Sequence, residues 1–207
     1  MPSRRAGTDP ASTPDPLPVR LANTVGWRFD PARRVERLPD GAALLAWAVD
    51  AGLVSRAEAR ALATAGGTAL DAEAARVRGL REAAYAALDA HVAGQAPPAA
   101  ALAAVRDAVV DAMGHAAPSA GLPLTWEVAA GDERAAGRRL ALAVADLLAS
   151  PVLSRVGRCA NEPCGWLFVD RTRSRTRRWC SSAGCGNRVR AKRHYERHTP
   201  LGRDHAR

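Results

Sequence analysis

Four cysteines carry the clearest chemistry in this 207-residue chain, and all lie in its last quarter: Cys159, Cys164, Cys180 and Cys185, spaced C-x4-C, then fifteen residues, then C-x4-C. Two close pairs separated by roughly 15 to 20 residues are a zinc pattern, because each pair can wrap one edge of a tetrahedron of thiolates about 2.3 Å from the metal. Four thiolates close the coordination shell. The spacing therefore predicts one structural Zn2+ with no open position for activated water. A segment of about 45 residues also buries too little apolar surface to order itself, and a metal staple supplies what its core lacks. Arg158, Arg178 and Arg188 should lower the thiol pKa values and help hold the formal double negative charge of a zinc tetrathiolate. Disulfides, a redox pair or another soft metal are the alternatives. A Cys2His2 arrangement with Cys180, Cys185, His194 and His198 has a linker of only eight residues and strands the first Cys pair.

The charge of the chain is as uneven as its cysteines. Residues 1–154 hold 16 basic and 17 acidic side chains, whereas residues 155–207 hold 14 basic against 4 acidic, so the whole excess of +9 belongs to the last quarter. Every basic residue is Arg except Lys192, and Ala is abundant; a GC-rich genome explains both, but not the missing carboxylates of the tail, which point to an anionic partner. Within the tail, Arg171, Arg173, Arg175 and Arg177 alternate along the chain, followed by Arg178. If extended, the segment would set the four alternating guanidinium groups like a comb along a phosphate backbone, with a turn expected to interrupt it because the chain must come back to bring Cys180 near Cys159; a mobile solvated loop is the alternative. The stretch from Gly186 reads as a helix that places Arg188, Lys192 and Tyr195 on one face, with Arg190, Arg193 and Arg197 on adjoining faces. These ten cations are the candidate nucleic-acid contacts, with DNA as the expected partner and RNA or an acidic protein surface (an adaptor function) as alternatives.

The same residues carry a resemblance. Cys159-Ala-Asn161-Glu-Pro-Cys164, Leu167-Phe168-Val169-Asp170-Arg171-Thr172, Arg178-Trp179-Cys180-Ser181 and Cys185-Gly186-Asn187-Arg188 resemble the CGNR zinc finger over about residues 153–198. In that family the finger follows a helical ABATE domain, whose opening Leu21-Ala22-Asn23-Thr24 and the stretch Leu44-Leu45-Ala46-Trp47 to Gly52-Leu53 resemble. The resemblance implies a stress-responsive bacterial transcription regulator. The leading reading of the residues is that the finger contacts DNA while the helical domain senses a small-molecule effector or mediates association, and since one small finger buries little surface, a homodimer or additional contacts are expected.

The elements that must position these residues are mostly helical. Five prolines in residues 1–18 predict an extended or disordered tail. Val19 to Val25 reads as a strand or a helix start, with Trp27 and Phe29 anchoring the following loop in the core. Asp40 is an N-cap for a helix stopped at Gly52, and Ser55 with Glu58 is a capping-box pair for a second helix ending at Gly66 and Gly67. A long helix over about 71–92 buries Val77, Leu80, Ala84, Leu88 and Val92, and another after Pro97 and Pro98 carries Leu102, Val105, Val109 and Met113. Leu122 to Val128 is the best strand, and a last helix over 133–149 presents Leu140, Val144 and Leu147. The expected fold is mainly α: a helical domain over 19–150 with a minor β element, a zinc-stabilised β-hairpin and helix finger over 153–198, and a flexible tail over 199–207.

No phosphate loop, nucleophile elbow, zinc-protease signature or paired carboxylates occur in the sequence, so an enzyme is not expected. No run of about 18 uncharged apolar residues suits a membrane span. With no secretory signal and a thiol set kept reduced, the expectation is a cytoplasmic, nucleoid-associated protein.

Overall fold

The computed structural model describes residues 14–64 and 66–198. It is mainly α, as the periodicity predicts. The elements run α1 (Leu17–Ala22), β1 (Val25–Gly26), β2 (Val35–Glu36), α2 (Gly41–Asp50), α3 (Arg56–Thr64), α4 (Gly67–Val92), α5 (Ala99–Met113), β3 (Ala116–Pro118), β4 (Trp126–Val128), α6 (Ala135–Ala149), a 3-10 turn Pro151–Arg155, β5 (Val156–Arg158), β6 (Leu167–Val169), a π turn Ser182–Gly186 and α7 (Asn187–His198). The three sheets are two-stranded antiparallel hairpins, β1 with β2, β3 with β4 and β5 with β6.

Local chemistry explains the helix boundaries. The Asp40 carboxylate accepts from the Ala43 amide at 2.8 Å, and Gly52 takes φ +72 just past the end of α2. Ser55 and Glu58 form a reciprocal capping box: the Ser55 amide donates to the Glu58 carboxylate at 2.7 Å, and the Glu58 amide to Ser55 Oγ at 3.1 Å. Gly41 starts α2 where a Cβ would lie 2.6 Å from the Leu70 backbone, so the start of α2 presses against α4 in a way only glycine permits.

The 26-residue α4 is the spine, packing against α1, α2, α5 and α6. Its Val77, Leu80 and Ala84 join Leu21, Leu44, Ala48, Val105, Leu140 and Val144 in the larger core. On α5 the buried line is Ala101, Val105 and Ala112, whereas Leu102 and Met113 are exposed, so the face that packs is rotated from the predicted stripe. Small alanines win that face because they let α5 approach α4 and α6 closely.

Three further expectations shift. Residues 14–18 are not a tail: α1 starts at Leu17 with Pro18 in its first turn, where a missing N–H costs nothing. Trp27 is half-buried and Phe29 exposed, so neither anchors the core of the helical domain. The predicted strand 122–128 keeps only Trp126–Val128. Residues 1–13 and 199–207, which hold the rest of the two expected tails, lie outside the described residues.

The expected boundary near residue 150 does not separate two cores. Val156, Leu167 and Val169 of the β5–β6 hairpin pack with Val19, Ala22, Tyr85, Leu88 and Leu147 in a second apolar cluster that joins the finger to α1, α4 and α6. A buried ionic group braces the adjacent β1–β2 ribbon on α4: Arg81 donates to both Glu36 oxygens at 2.7 and 2.6 Å and to Thr24 Oγ1 at 3.0 Å, while Arg28 pairs with Glu82 and lies 3.8 Å over the Tyr85 ring. Burial would raise the Glu36 carboxyl pKa, but the Arg81 hydrogen bonds and charge hold it below its ordinary value.

Candidate zinc centre and nucleic-acid interface

The first cysteine pair hangs from the β5–β6 hairpin, Cys159 following β5 and Cys164 leading into β6. Of the second pair, Cys180 precedes the π turn and Cys185 lies within it, just before α7. All four sulfurs lie within 4.8 Å of one another, with Cys164 to Cys180 at 3.8 Å and Cys180 to Cys185 at 3.7 Å. A tetrahedron with Zn–S bonds of about 2.3 Å has edges of about 3.8 Å, so the sulfurs already stand at the separation a zinc ion requires. Cys159, Cys164 and Cys185 are buried and Cys180 is half-buried, with Trp166 and Trp179 packed around them.

The thiols are coupled through close contacts between their sulfurs. The Cys159 thiol is driven far down by hydrogen bonds from Cys164 and Cys180 and by the amides of Cys180 and Asn161, while Cys164, which must keep its proton beside that thiolate, is pushed up to about 12. Cys180 is pushed up as well, by the same two sulfurs. Bound Zn2+ would take the place of those protons and allow all four sulfurs to ionise. Asn161 Nδ2 donates to Cys185 Sγ at 3.5 Å, and a guanidinium nitrogen of Arg188 lies 3.9 Å from the same sulfur. These second contacts orient Cys185 and offset the negative charge. The donor set fits one structural zinc. His194 and His198 are not in the cluster; they lie one turn apart on exposed α7.

Gly165 makes the first knuckle possible. Its φ is +68, and a Cβ there would lie 2.7 Å from Arg28 Cβ, so both the turn and the approach of the helical domain demand glycine. Around it the finger is tied down by main-chain bonds. The Arg28 amide donates to Cys164 O at 3.1 Å, the Phe29 amide to Pro163 O at 3.2 Å, Tyr85 Oη to Gly165 O at 2.8 Å and Trp166 Nε1 to Val25 O at 2.9 Å. Asn23 behaves as a third strand: its Nδ2 donates to Leu167 O at 2.8 Å and its Oδ1 accepts from the Leu167 amide at 2.9 Å. Asp15 accepts from the Val169 amide at 3.0 Å.

The ten predicted cations divide into two groups. The extended comb is not formed: a turn follows Arg171, and Arg175 takes φ +51. Arg171 is drawn inward to Asp15 at 3.2 Å and Pro14 O at 3.0 Å. Arg177 donates to Val169 O, Trp179 O and Cys180 O and stacks 4.5 Å from the Phe168 ring, which makes it an internal strut of the finger. The turn is organised by buried Asp170, which accepts from Thr172 N, Thr172 Oγ1 and Arg177 N at 2.6 to 2.8 Å. Burial would raise this carboxyl, but those hydrogen bonds outweigh it and hold the pKa below its ordinary value. Arg173 and Arg175 stay exposed, and exposed Arg178 lies 5.3 Å over the Trp179 ring, which contacts the start of α7 at Gly186.

The other cations project from α7, none of whose twelve residues is buried. Arg190 braces its start by donating to Asn187 Oδ1 at 2.6 Å and Ser182 O at 3.2 Å. Arg188, Lys192, Arg193 and Arg197 are exposed, and the helix has one acid, Glu196, 3.8 Å from Lys192. Tyr195 is 70% exposed. Sequence reasoning missed Asn23, Asp15 and Tyr85 as anchors of the finger. Only the Leu21–Thr24 stretch carried a signal, and it did not mark which of its residues reaches the finger.

The profile of the ABATE family, described as "Putative stress-induced transcription regulator", matches residues 15–151, and that of the CGNR zinc finger matches residues 155–198. Neither description is of an enzyme. No curated protein matches the chain. No described helix is long and apolar enough to cross a membrane.

Proposed function

Because the chain belongs to the ABATE family and carries a CGNR zinc finger, we propose that it regulates transcription by binding DNA through α7 and the adjoining Arg173, Arg175 and Arg178. The observation that carries this reading is α7 itself. It is a twelve-residue helix with five Lys and Arg side chains, one acid and no buried residue, joined at its start to the zinc knuckle and braced there by Arg190. So short and so basic a helix has little stability of its own, and a row of phosphates supplies the missing counter-charge. In this reading Arg171 and Arg177 shape the finger, while Arg188, Arg190, Lys192, Arg193 and Arg197 meet the nucleic acid. One finger buries little surface, so binding by two copies together gives useful affinity. Stress is the signal that the family's description attaches to the response.

Fluorescence anisotropy with duplex DNA tests the proposal. If about five phosphates are neutralised, log K falls with log salt at a slope near −4.5. Lys192→Ala combined with Arg193→Ala weakens binding at least ten-fold and leaves one zinc per chain. A flat salt dependence overturns the electrostatic basis. Displacement of the duplex by equal amounts of structured RNA moves the reading to RNA, and binding to neither moves it to an acidic protein partner.

A further inference from the structure

A cleft of about 290 Å³ opens between the β1–β2 ribbon of the helical domain and the zinc knuckles, and it is walled by Trp27, Val35, Arg37, Trp166 and Arg188, with sulfurs of the cysteine cluster at its floor. Its aromatic walls are fixed in advance. Trp166 is pinned through Nε1 to Val25 O. Trp27 holds a left-handed backbone, φ +50, which a bulky residue rarely adopts, and is covered at 3.9 Å by Arg33, itself paired with Asp30. No carboxylate lines the cleft. Arg188 lies 5.0 Å from the Trp27 ring and also faces the Cys185 sulfur, so part of its charge is spent on the thiolates. Arg37, 5.3 Å from the Trp166 ring, has no hydrogen bond or ion pair from its guanidinium among the described residues.

We infer that this cleft binds a small planar aromatic monoanion, stacked against the indoles with its carboxylate on Arg37. A cavity of about 150 Å³ holds one benzene ring, so the space here suits two fused rings and a carboxylate. The walls define the ligand: aromatic, to take the place of the Arg188 and Arg37 guanidinium groups that lie over the Trp27 and Trp166 rings, anionic for Arg37, which has no ion pair, and singly charged because the neighbouring cysteine cluster repels more. The location gives binding a consequence that rests on the DNA-binding reading. Arg188 is both a wall of the cleft and the second residue of α7, so a ligand that engages it withdraws a cation from the nucleic-acid face.

Isothermal titration of the zinc-loaded full chain with 2-naphthoate tests the site without nucleic acid. The expected result is one ligand per chain, with at least ten-fold weaker binding for uncharged 2-naphthamide and for Arg37→Gln, whose exposed side chain holds nothing in the fold. Trp27→Gly, which suits the left-handed backbone, weakens both probes while zinc stays at one per chain. No binding at millimolar concentration, equal affinity for acid and amide, or an unaffected Arg37→Gln variant overturns the proposal. A second arm adds 2-naphthoate to the duplex-binding assay, where the duplex affinity falls at least three-fold. An unchanged affinity overturns the coupling, whereas a chain that binds naphthoate and no duplex overturns the DNA reading and leaves the cleft standing.

Discussion

Asn23 shows how one side chain can join two parts of a chain. Its amide copies a strand edge, giving a donor and an acceptor to the backbone of Leu167, 144 residues away. Leu167 is fully buried, so truncating Asn23 leaves a main-chain N–H and C=O without partners. Each such loss costs about 1–3 kcal/mol, so Asn23→Ala should lower stability by about 2–6 kcal/mol. For a chain of this size that is a fall of roughly 4–24 °C in the thermal midpoint of the zinc-loaded protein. An unchanged midpoint would show that water replaces the clamp. The cysteines and Asn23 are equally essential to the arrangement, yet only the cysteines were legible, because ligand spacing is a local pattern and a lone asparagine has none. Arg171 and Arg177 make the same point from the other side. Their alternation with Arg173 and Arg175 suggests one common role, and only the fold divides them into struts and free cations.

Among the elements, β5–β6 and α7 depend on the metal to different degrees. The hairpin is held by the shared apolar cluster, by Asn23 and Asp15, and by Tyr85, none of which is a metal ligand. The π turn and α7 have less support, since the main packing of α7 is on the turn before it, with Arg188 over the Trp27 ring. Chelation should therefore melt the finger in part. In hydrogen–deuterium exchange the amides of Leu167 and Val169 keep their protection after zinc is stripped. Those of Ala160, Gly184 and Gly186, bonded within the knuckles, exchange freely together with α7. Loss of protection at Leu167 as well would mean that the metal, and not the shared core, holds the hairpin. At this scale the sequence was most informative where a cap meets apolar periodicity, as in α2 and α3, and where the apolar period runs long, as in α4 and α6. It was least informative for α1, hidden behind prolines, and for α5, where close packing of alanines outranked the larger side chains.

Taken as a whole, the molecule is polarised. The helical part carries balanced charge, largely spent in internal pairs such as Arg81 with Glu36, Arg138 with Asp111 and Arg139 with Glu58. The finger's excess of cations is displayed on α7 and the Arg173 to Arg178 loop. Because the two parts share a core across the expected boundary near residue 150, they should not unfold independently. Calorimetry of the zinc-loaded chain should give one cooperative transition. Two separable transitions would show that the common cluster of Val19, Leu88, Leu147, Leu167 and Val169 contributes little.

The sequence alone determined the metal, the helical class and the location of the positive charge. Each of these is written in short-range spacing or in composition, where ligand geometry, the 3.6-residue period and charge counting act directly. The tertiary structure decided which arginines are free, which residues clasp the finger, and that Trp27, Arg37, Trp166 and Arg188 meet around one cleft. Apart from the Arg177 strut, those are contacts between segments 80 or more residues apart, and they exist because burying the Leu167 face of the hairpin against α1 and α4 brings the first helix and the β1–β2 ribbon onto the finger.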